Sequence, residues 1–453
     1  MPIRHLVVLM LENRSFDHLF GVLHQDNPDI NGLTGAESNP ASDGSQICVT
    51  FDANPVGDLK DPGHEFPDVE EQIYNGVPGT PSMSGFVRNF ANYSDHPERI
   101  MKCFGADSLP VLRTLGRNFV LCDAWHSSVP GPTSPNRMFA HAATSNGSVL
   151  SDPAAWIKLK TIYEQLDEHG VSYRIYHNNG GSLLFSVDYL VDHQRGFVEY
   201  AHFADDCVRG DLPCYTFIEA RYTWDGEFPP TDMHPDADVR DGENLVREVY
   251  EAIRGNDALW QSTLLLILFD EHGGIYDHVV PGPCAPTADV SHDPPFNFDR
   301  LGLRVPAIIV SPFAASRVSH QVFEHSSILA TIRKLFLEGT GAPPLGREAS
   351  AAAFDGELTL HAARTDNVEL PRRASAPATA PASAADTVVH TRPAAADAPP
   401  TALAMEIVRH LAATLQRRMP NEAIPFDVEK IRTCRQAANF MSAARRQLAG
   451  IAQ

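Results

Sequence analysis

Asp270 and Glu271 stand side by side directly after six unbroken apolar residues, Leu264 to Phe269, and directly before His272-Gly273-Gly274. Adjacent carboxylates repel each other unless a cation lies beside them, so the pair reads as half of a metal site. The arrangement recurs near the start of the chain, where Leu6 to Leu11 run straight into Glu12 and Asn13. A strand-to-helix turn capped by Asn13 or Ser15 would also explain that second segment. Together Glu12, Asn13, Asp270 and Glu271 offer three carboxylates and an amide. These oxygen donors suit one hard divalent cation, Ca²⁺, Mg²⁺ or Mn²⁺, better than Zn²⁺.

A nucleophile is the next requirement. Val129-Pro130-Gly131-Pro132 forms a rigid turn, and Thr133 or Ser134 follows as the natural cap of a helix running through Phe139. Capping alone would account for either hydroxyl. A hydroxyl at a helix amino terminus also faces free N–H groups and the positive end of a dipole, where a phosphoryl group can be held. It needs a metal or a base to attack. Proton donors are available in loops: His64 within Asp61-Pro62-Gly63-His64-Glu65, His234 within Asp232-Met233-His234-Pro235, His177 after the strand expected at 171–176, and His278 within Tyr276-Asp277-His278-Val279. Each reads as a solvated turn residue unless its loop folds over the carboxylates.

These residues must be positioned by the elements around them. A continuous apolar run such as 263–269 predicts a fully buried strand of a parallel sheet, with its acids at the carboxyl edge where open α/β sheets bind ligands. Further strands are expected at 5–11, 118–125, 171–176, 214–219 and 305–311. Helices are expected at 161–169, 242–254 and 326–337. The helix–strand alternation makes the fold class α/β with a mainly parallel central sheet. Residues 25–100 and 281–298, rich in Gly, Pro, Asp and Asn, are expected to be long loops over the active edge. The organisation expected is a catalytic domain over 1–372, an Ala/Pro-rich linker over 373–401, and an appended helical tail over 402–453, whose two amphipathic helices could support self-association.

The formal net charge of the 453-residue chain is −21, which argues against nucleic acid as a partner and against electrostatic docking on an anionic membrane. No apolar run approaches the roughly 18 residues of a transmembrane helix, so membrane contact is expected to be peripheral at most. The first apolar run ends in an acid without a cleavage site. The chain as given is therefore expected in the cytoplasm, or secreted or periplasmic if an export signal was removed. Seven cysteines without a CxxC motif point to neither a disulfide framework nor a zinc finger, and the thiols are expected to be reduced.

Glu12-Asn13-Arg14-Ser15-Phe16-Asp17-His18, Asp61-Pro62-Gly63-His64, Thr133-Ser134-Pro135-Asn136-Arg137, His234-Pro235 and Asp270-Glu271-His272-Gly273-Gly274 with Tyr276-Asp277-His278-Val279 occur in the order seen in one phosphoesterase family. That family contains bacterial phosphatidylcholine-type phospholipases C, plant non-specific phospholipases C and a bacterial acid phosphatase, and the chain resembles it over roughly residues 3 to 370. The resemblance implies an alkaline-phosphatase-like architecture, Glu12, Asn13, Asp270 and Glu271 as metal ligands, and Thr133 as nucleophile. It implies His64 and His234 as the groups that bind phosphate and protonate the leaving oxygen. Asn136, His278 and the less well matched His177 complete the expected set as substrate contacts. The reaction implied is cleavage of the glycerol-side phosphoester of a phospholipid through a phospho-threonyl intermediate, giving diacylglycerol and a phospho-headgroup. The alternatives are a phosphomonoesterase acting on soluble phosphate esters, a phosphate-ester binding protein without activity, and a metal site that is structural only.

Overall fold

Seven residues, His5–Leu11, form the first strand (β1), and six of them are buried. They lie next to Thr263–Phe269, which is buried throughout. A computed structural model describes residues 3–372 and 397–451, apart from 58, 60, 78, 180, 226, 227, 422, 423, 425 and 426. Most of the expected linker, 373–396, lies outside the described residues. After β1 the strands of the central sheet are β2 (Val120–Cys122), β3 (Tyr173–His177), β4 (Phe197–Glu199), β5 (Tyr215–Glu219), β6 (Thr263–Phe269), β7 (Ala307–Val310) and β8 (Arg317–Ser319). Their order across the sheet is β8-β2-β7-β6-β1-β5-β3-β4.

β1, β3, β4, β5 and β6 run parallel to their neighbours among one another. Only β7 runs against both of its neighbours, β2 and β6. The architecture is thus an α/β fold with a mainly parallel central sheet. Buried strands with helices on both faces cannot alternate polar and apolar residues, which explains why β6 is apolar at every position but its first.

The 25–100 region is more ordered than its composition suggests. It contains a two-stranded hairpin (Ser38–Pro40 with Gln46–Cys48) and the helices Phe66–Tyr74 and Phe86–Phe90. Val69, Ile73, Phe86, Val87 and Phe90 close a second small core with Ile275, Tyr276 and Leu303. That core anchors the region to the segment following the glycine pair.

The carboxyl-terminal helices, Ala402–Arg418 and Cys434–Ile451, are not simply appended. Leu403, Ile407, Val408, Leu411, Leu415, Phe440, Met441 and Leu448 are buried in the same cluster as the strands of the sheet. Burying each such side chain stabilises the fold by about 1.5–3 kcal/mol. The Thr401 hydroxyl caps the first helix through Ala404 N and also donates to Tyr222 O, and Arg417 pairs with Asp188. The apolar stripe therefore faces the body of its own chain. All seven cysteines are free.

Candidate active site

Strand register sets the first pair of groups. Leu11 of β1 is level with Phe269 of β6, and Met10 is level with Glu219 at the end of β5. All three strands point the same way, so Glu12, Asp270 and Glu219 emerge at one edge. Glu12, Asp270 and Glu271 are fully buried. The Arg137 guanidinium lies among them: its Nε donates to Glu12 Oε1 at 3.0 Å and to Asp270 Oδ2 at 3.3 Å, and its Nη1 donates to Glu219 Oε2 at 2.9 Å. Even so, burial and then the charge of Asp270 outweigh Arg137 and hold the Glu12 carboxyl well above the usual range. The crowded carboxylates thus resist full ionisation unless a further cation joins them.

The loops are closed onto this edge by backbone that only certain residues permit. Asn13 has φ 54°, a left-handed conformation that Asn tolerates better than most residues. Its backbone N–H donates to Asp270 Oδ1 at 3.0 Å. Gly273 and Gly274 also have positive φ. A Cβ on Gly273 would stand 2.3 Å from the Asn13 carbonyl, and one on Gly274 would stand 2.4 Å from the Gly63 carbonyl. The glycine pair therefore lets the 12–13 and 62–64 segments press against the 270–271 acids. Arg14 fastens the third segment, donating from Nε to Met233 O at 2.7 Å and from Nη2 to His234 O at 2.9 Å.

Thr133 is the first residue of helix Thr133–Ala142, with Pro132 in the cap position. The expected cap is thus absent, and the hydroxyl is turned outward to the edge of the sheet. Thr133 Oγ1 lies 3.3 Å from Asn13 Oδ1 and 3.4 Å from Glu12 Oε2. The neighbouring Ser134 hydroxyl instead accepts from Trp156 Nε1 at 2.7 Å. Arg137 is one turn beyond Thr133, and residues at that spacing share a helix face.

His64 and His234 approach from the loops around Asp61. Nδ1 of His64 donates to Pro62 O at 2.7 Å, which directs Nε2 to within 4.0 Å of Glu271 Oε1. His234 uses Nδ1 against Asp236 Oδ1 at 2.6 Å and turns Nε2 toward Asp61 Oδ1, 3.4 Å away. Burial pulls both imidazoles down. The charges of Glu271 and Asp61 nevertheless push His64 to about 9. Asp236 and Asp61 likewise keep His234 well above its ordinary value. Both rings are thus poised to be cationic at neutral pH. Glu271 Oε1 is buried without a hydrogen-bond partner, while Asp61 Oδ1 and His234 Nε2 face each other at 3.4 Å. Orphaned polar atoms in a buried site call for an occupant. Crowded hard oxygen donors fit a divalent cation, which would let them ionise together.

Other expected contacts lie elsewhere. Asn136 has its amide committed to the turn: it accepts from Val129 N and donates to the carbonyls of Val129, Gly131 and Pro132. These bonds hold the turn that leads into Thr133. His177 packs against Phe185 and Phe197 and faces Glu199 at 3.7 Å. His278 belongs to a different cluster, in which its Nδ1 donates to Asp17 Oδ2 at 2.6 Å. Asp17, Asp277 and His278 have the spacing of metal ligands. Arg304, however, supplies the positive charge there, donating to Asp277 Oδ1 at 2.9 Å and to Asp17 Oδ1 at 2.8 Å.

Sequence reasoning gave no role to Asp61, Arg137, Glu219 or Asp236. Glu219 carried the signal already used for Glu12, an acid closing a buried strand. Arg137 was marked by its four-residue spacing from Thr133. Asp61 and Asp236 had no such signal, since both depend on how two loops meet.

Comparison with known proteins adds an independent finding. Residues 3–337 match the model of the phosphoesterase family. The chain is 39% identical to non-specific phospholipase C6 of Arabidopsis thaliana, across 98% of this chain and 86% of the relative. It is 28% identical to phospholipase C B of Mycobacterium tuberculosis, across 82% and 80%. Among solved structures, a protein in the alkaline phosphatase superfamily from Vibrio parahaemolyticus aligns with TM-score 0.31 and 14% identity over 51% of this chain and 61% of that one.

Proposed function

The chain belongs to the phosphoesterase family, and on that footing we propose that it is a phospholipase C-type hydrolase in which Thr133 attacks phosphorus and becomes transiently phosphorylated. The observation that carries this reading is the Thr133 hydroxyl, 3.3 Å from Asn13 and 3.4 Å from Glu12 at the amino end of a helix. Glu12, Asn13, Asp270 and Glu271 are the residues that would hold a divalent metal. Such an ion would lower the pKa of a nearby hydroxyl and offset charge on phosphoryl oxygens.

The remaining chemistry falls to the protein. The helix amino terminus presents N–H groups and a positive dipole end to the phosphoryl oxygens. Arg137 keeps the carboxylates in place. Thr133 Oγ passes its proton to Glu12 Oε2, 3.4 Å away, which returns it when water later displaces the threonine, and Oγ bonds to phosphorus as the bond to the leaving alcohol breaks. The protonated Nε2 of His64 or His234 gives its proton to that leaving oxygen, a contribution of about 10²–10⁴ in rate. The neutral imidazole then takes a proton from water as water displaces Thr133. With a phospholipid, diacylglycerol departs in the first step and the phospho-headgroup in the second.

The test is a rapid acid quench during turnover of a slow phosphodiester, followed by peptide mass spectrometry. Phosphate on the peptide carrying Thr133, absent from Thr133→Ala, is expected. Phosphate on another residue would overturn the assignment.

A further inference from the structure

Burying an amide is unfavourable unless its donors and acceptor are met, and Gln72, on helix Phe66–Tyr74, is 1% exposed. It takes no part in the chemistry above, yet its carboxamide touches both halves of the site. Nε2 donates to Gly63 O at 2.7 Å and to Asn89 Oδ1 at 3.0 Å, and Oε1 accepts from His272 Nε2 at 2.8 Å. Asn89 is equally buried, on helix Phe86–Phe90. It reaches Gln72 because Gly85, just before its helix, lies so close to helix Phe66–Tyr74 that a Cβ there would overlap the Glu71 carbonyl.

The direction of these bonds is fixed at their outer end. Asn89 Nδ2 donates to Asp68 Oδ1 at 2.9 Å and to Glu71 Oε2 at 2.9 Å. Carboxylates only accept, so both hydrogens of the Asn89 amide are committed to them and its Oδ1 must accept. Gln72 therefore donates to Asn89 and to the Gly63 carbonyl, which uses both of its own hydrogens. The atom that remains, Oε1, can only accept, so His272 carries a proton on Nε2. A buried network satisfied in this way is rigid.

At its inner end the network meets the two functional segments. His272 Nδ1 faces Glu271 Oε2 at 3.3 Å, and Gly273 N donates to the same oxygen at 2.7 Å. Glu271 Oε1 is left without a hydrogen-bond partner, 4.0 Å from His64 Nε2. The carbonyl that Gln72 holds belongs to Gly63, the residue immediately before His64. One amide thus braces the acid that would take a cation and the ring that would give a proton.

We propose that Gln72 is a positioning residue for the phosphoester reaction: through His272 it sets the Glu271 carboxylate for a divalent cation, and through Gly63 it sets His64 at the leaving oxygen. This rests on the Thr133 centre being the phosphoester site. Removing a group that orients a metal ligand from behind lowers metal affinity or activity by about 10–100-fold.

The experiment uses the full chain carrying Gln72→Met, which keeps the length of the side chain and removes all three bonds. Mn²⁺ binding, read by titration calorimetry, is expected to weaken by about tenfold or more. At saturating Mn²⁺, kcat for glycerophosphocholine, whose leaving alcohol needs a proton, is expected to fall by about tenfold or more. For p-nitrophenyl phosphorylcholine, whose leaving group needs none, the fall is expected to stay below about threefold. Asn89→Ala removes the acceptor that fixes the amide and is expected to give both effects at smaller size should Gln72→Met fold poorly. Unchanged Mn²⁺ affinity, or equal losses on the two esters, overturns the role of Gln72 and spares the proposed function. A wild type that cleaves neither ester overturns the proposed function. Mn²⁺ affinity then judges Gln72 by itself, and equal affinities in wild type and variant overturn its role.

Discussion

At the scale of the residue, His64 is caught between burial, which favours the neutral ring, and Glu271 and Asp61, which favour the cation; the acids win and hold it near 9. On the proposed mechanism the cation is the proton donor below that pH. A group raised from 6.5 to about 9 contributes stability that is fully present below pH 6.5 and lost as pH rises through 9. The kcat/KM profile is accordingly expected to fall toward alkaline pH, and His64→Gln is expected to abolish that limb. For alkyl leaving groups that variant should lose about 10²–10⁴ in rate, and much less for p-nitrophenol, which departs without a proton. Equal losses on both would remove His64 as the donor. The Glu12 and Asp270 positions were readable from types and spacing as acids closing buried strands, whereas only the family resemblance separated Thr133 from Ser134. The pairing of Asp61 and Asp236 with two loop histidines was not readable, since nothing local in 61–65 or 232–236 says that these loops touch.

At the scale of the element, helix Pro110–Asn118 has no side-chain cap of its own. Glu243, on helix Val239–Arg254, accepts from Leu112 N at 2.8 Å in place of one. Burial outweighs that bond and raises the Glu243 carboxyl to about 7. An acid raised in the folded state favours folding below its ordinary pKa and loses that contribution as pH climbs through about 7. Glu243→Gln keeps an acceptor without the charge. Denaturant unfolding should therefore find it more stable than wild type at pH 8, with the gain vanishing near pH 5. An unchanged difference across that range would contradict the assignment. A second expectation concerns the glycine pair: Gly273→Ala, with its Cβ 2.3 Å from the Asn13 carbonyl, should unseat Asn13 and lower activity far more than melting temperature. The long strands could be read almost to the residue, as with β6, because unbroken apolar runs leave few alternatives. The antiparallel course of β7 could not, since direction depends on the path of the chain between strands.

At the scale of the molecule, the catalytic edge is assembled from segments at 12, 61, 133, 234 and 270, and helix Ala402–Arg418 borders a cavity beside Asp61 and His64. An amphipathic pattern at 402–418 and 434–451 shows that a face is covered but does not say by what, so their docking on the body was not legible. Deleting 397–453 would expose Leu403, Ile407, Val408, Leu411 and Leu415, all buried in the shared core. The shortened chain is expected to aggregate, as light scattering would record; a well-behaved monomer with full activity would show the helices to be dispensable. Removing a bound cation acts on the same assembly. Exhaustive chelation should abolish turnover and lower stability by about 3 kcal/mol, the contribution of a ligand present at 100 times its Kd, with recovery on adding back Ca²⁺, Mg²⁺ or Mn²⁺.

The stereochemical course at phosphorus bears most directly on attack by Thr133. Hydrolysis of a chiral thiophosphate diester in isotopically labelled water should proceed with retention of configuration, because displacement by Thr133 and then by water inverts the centre twice. Net inversion would mean that water attacks phosphorus directly and that Thr133 is not the nucleophile.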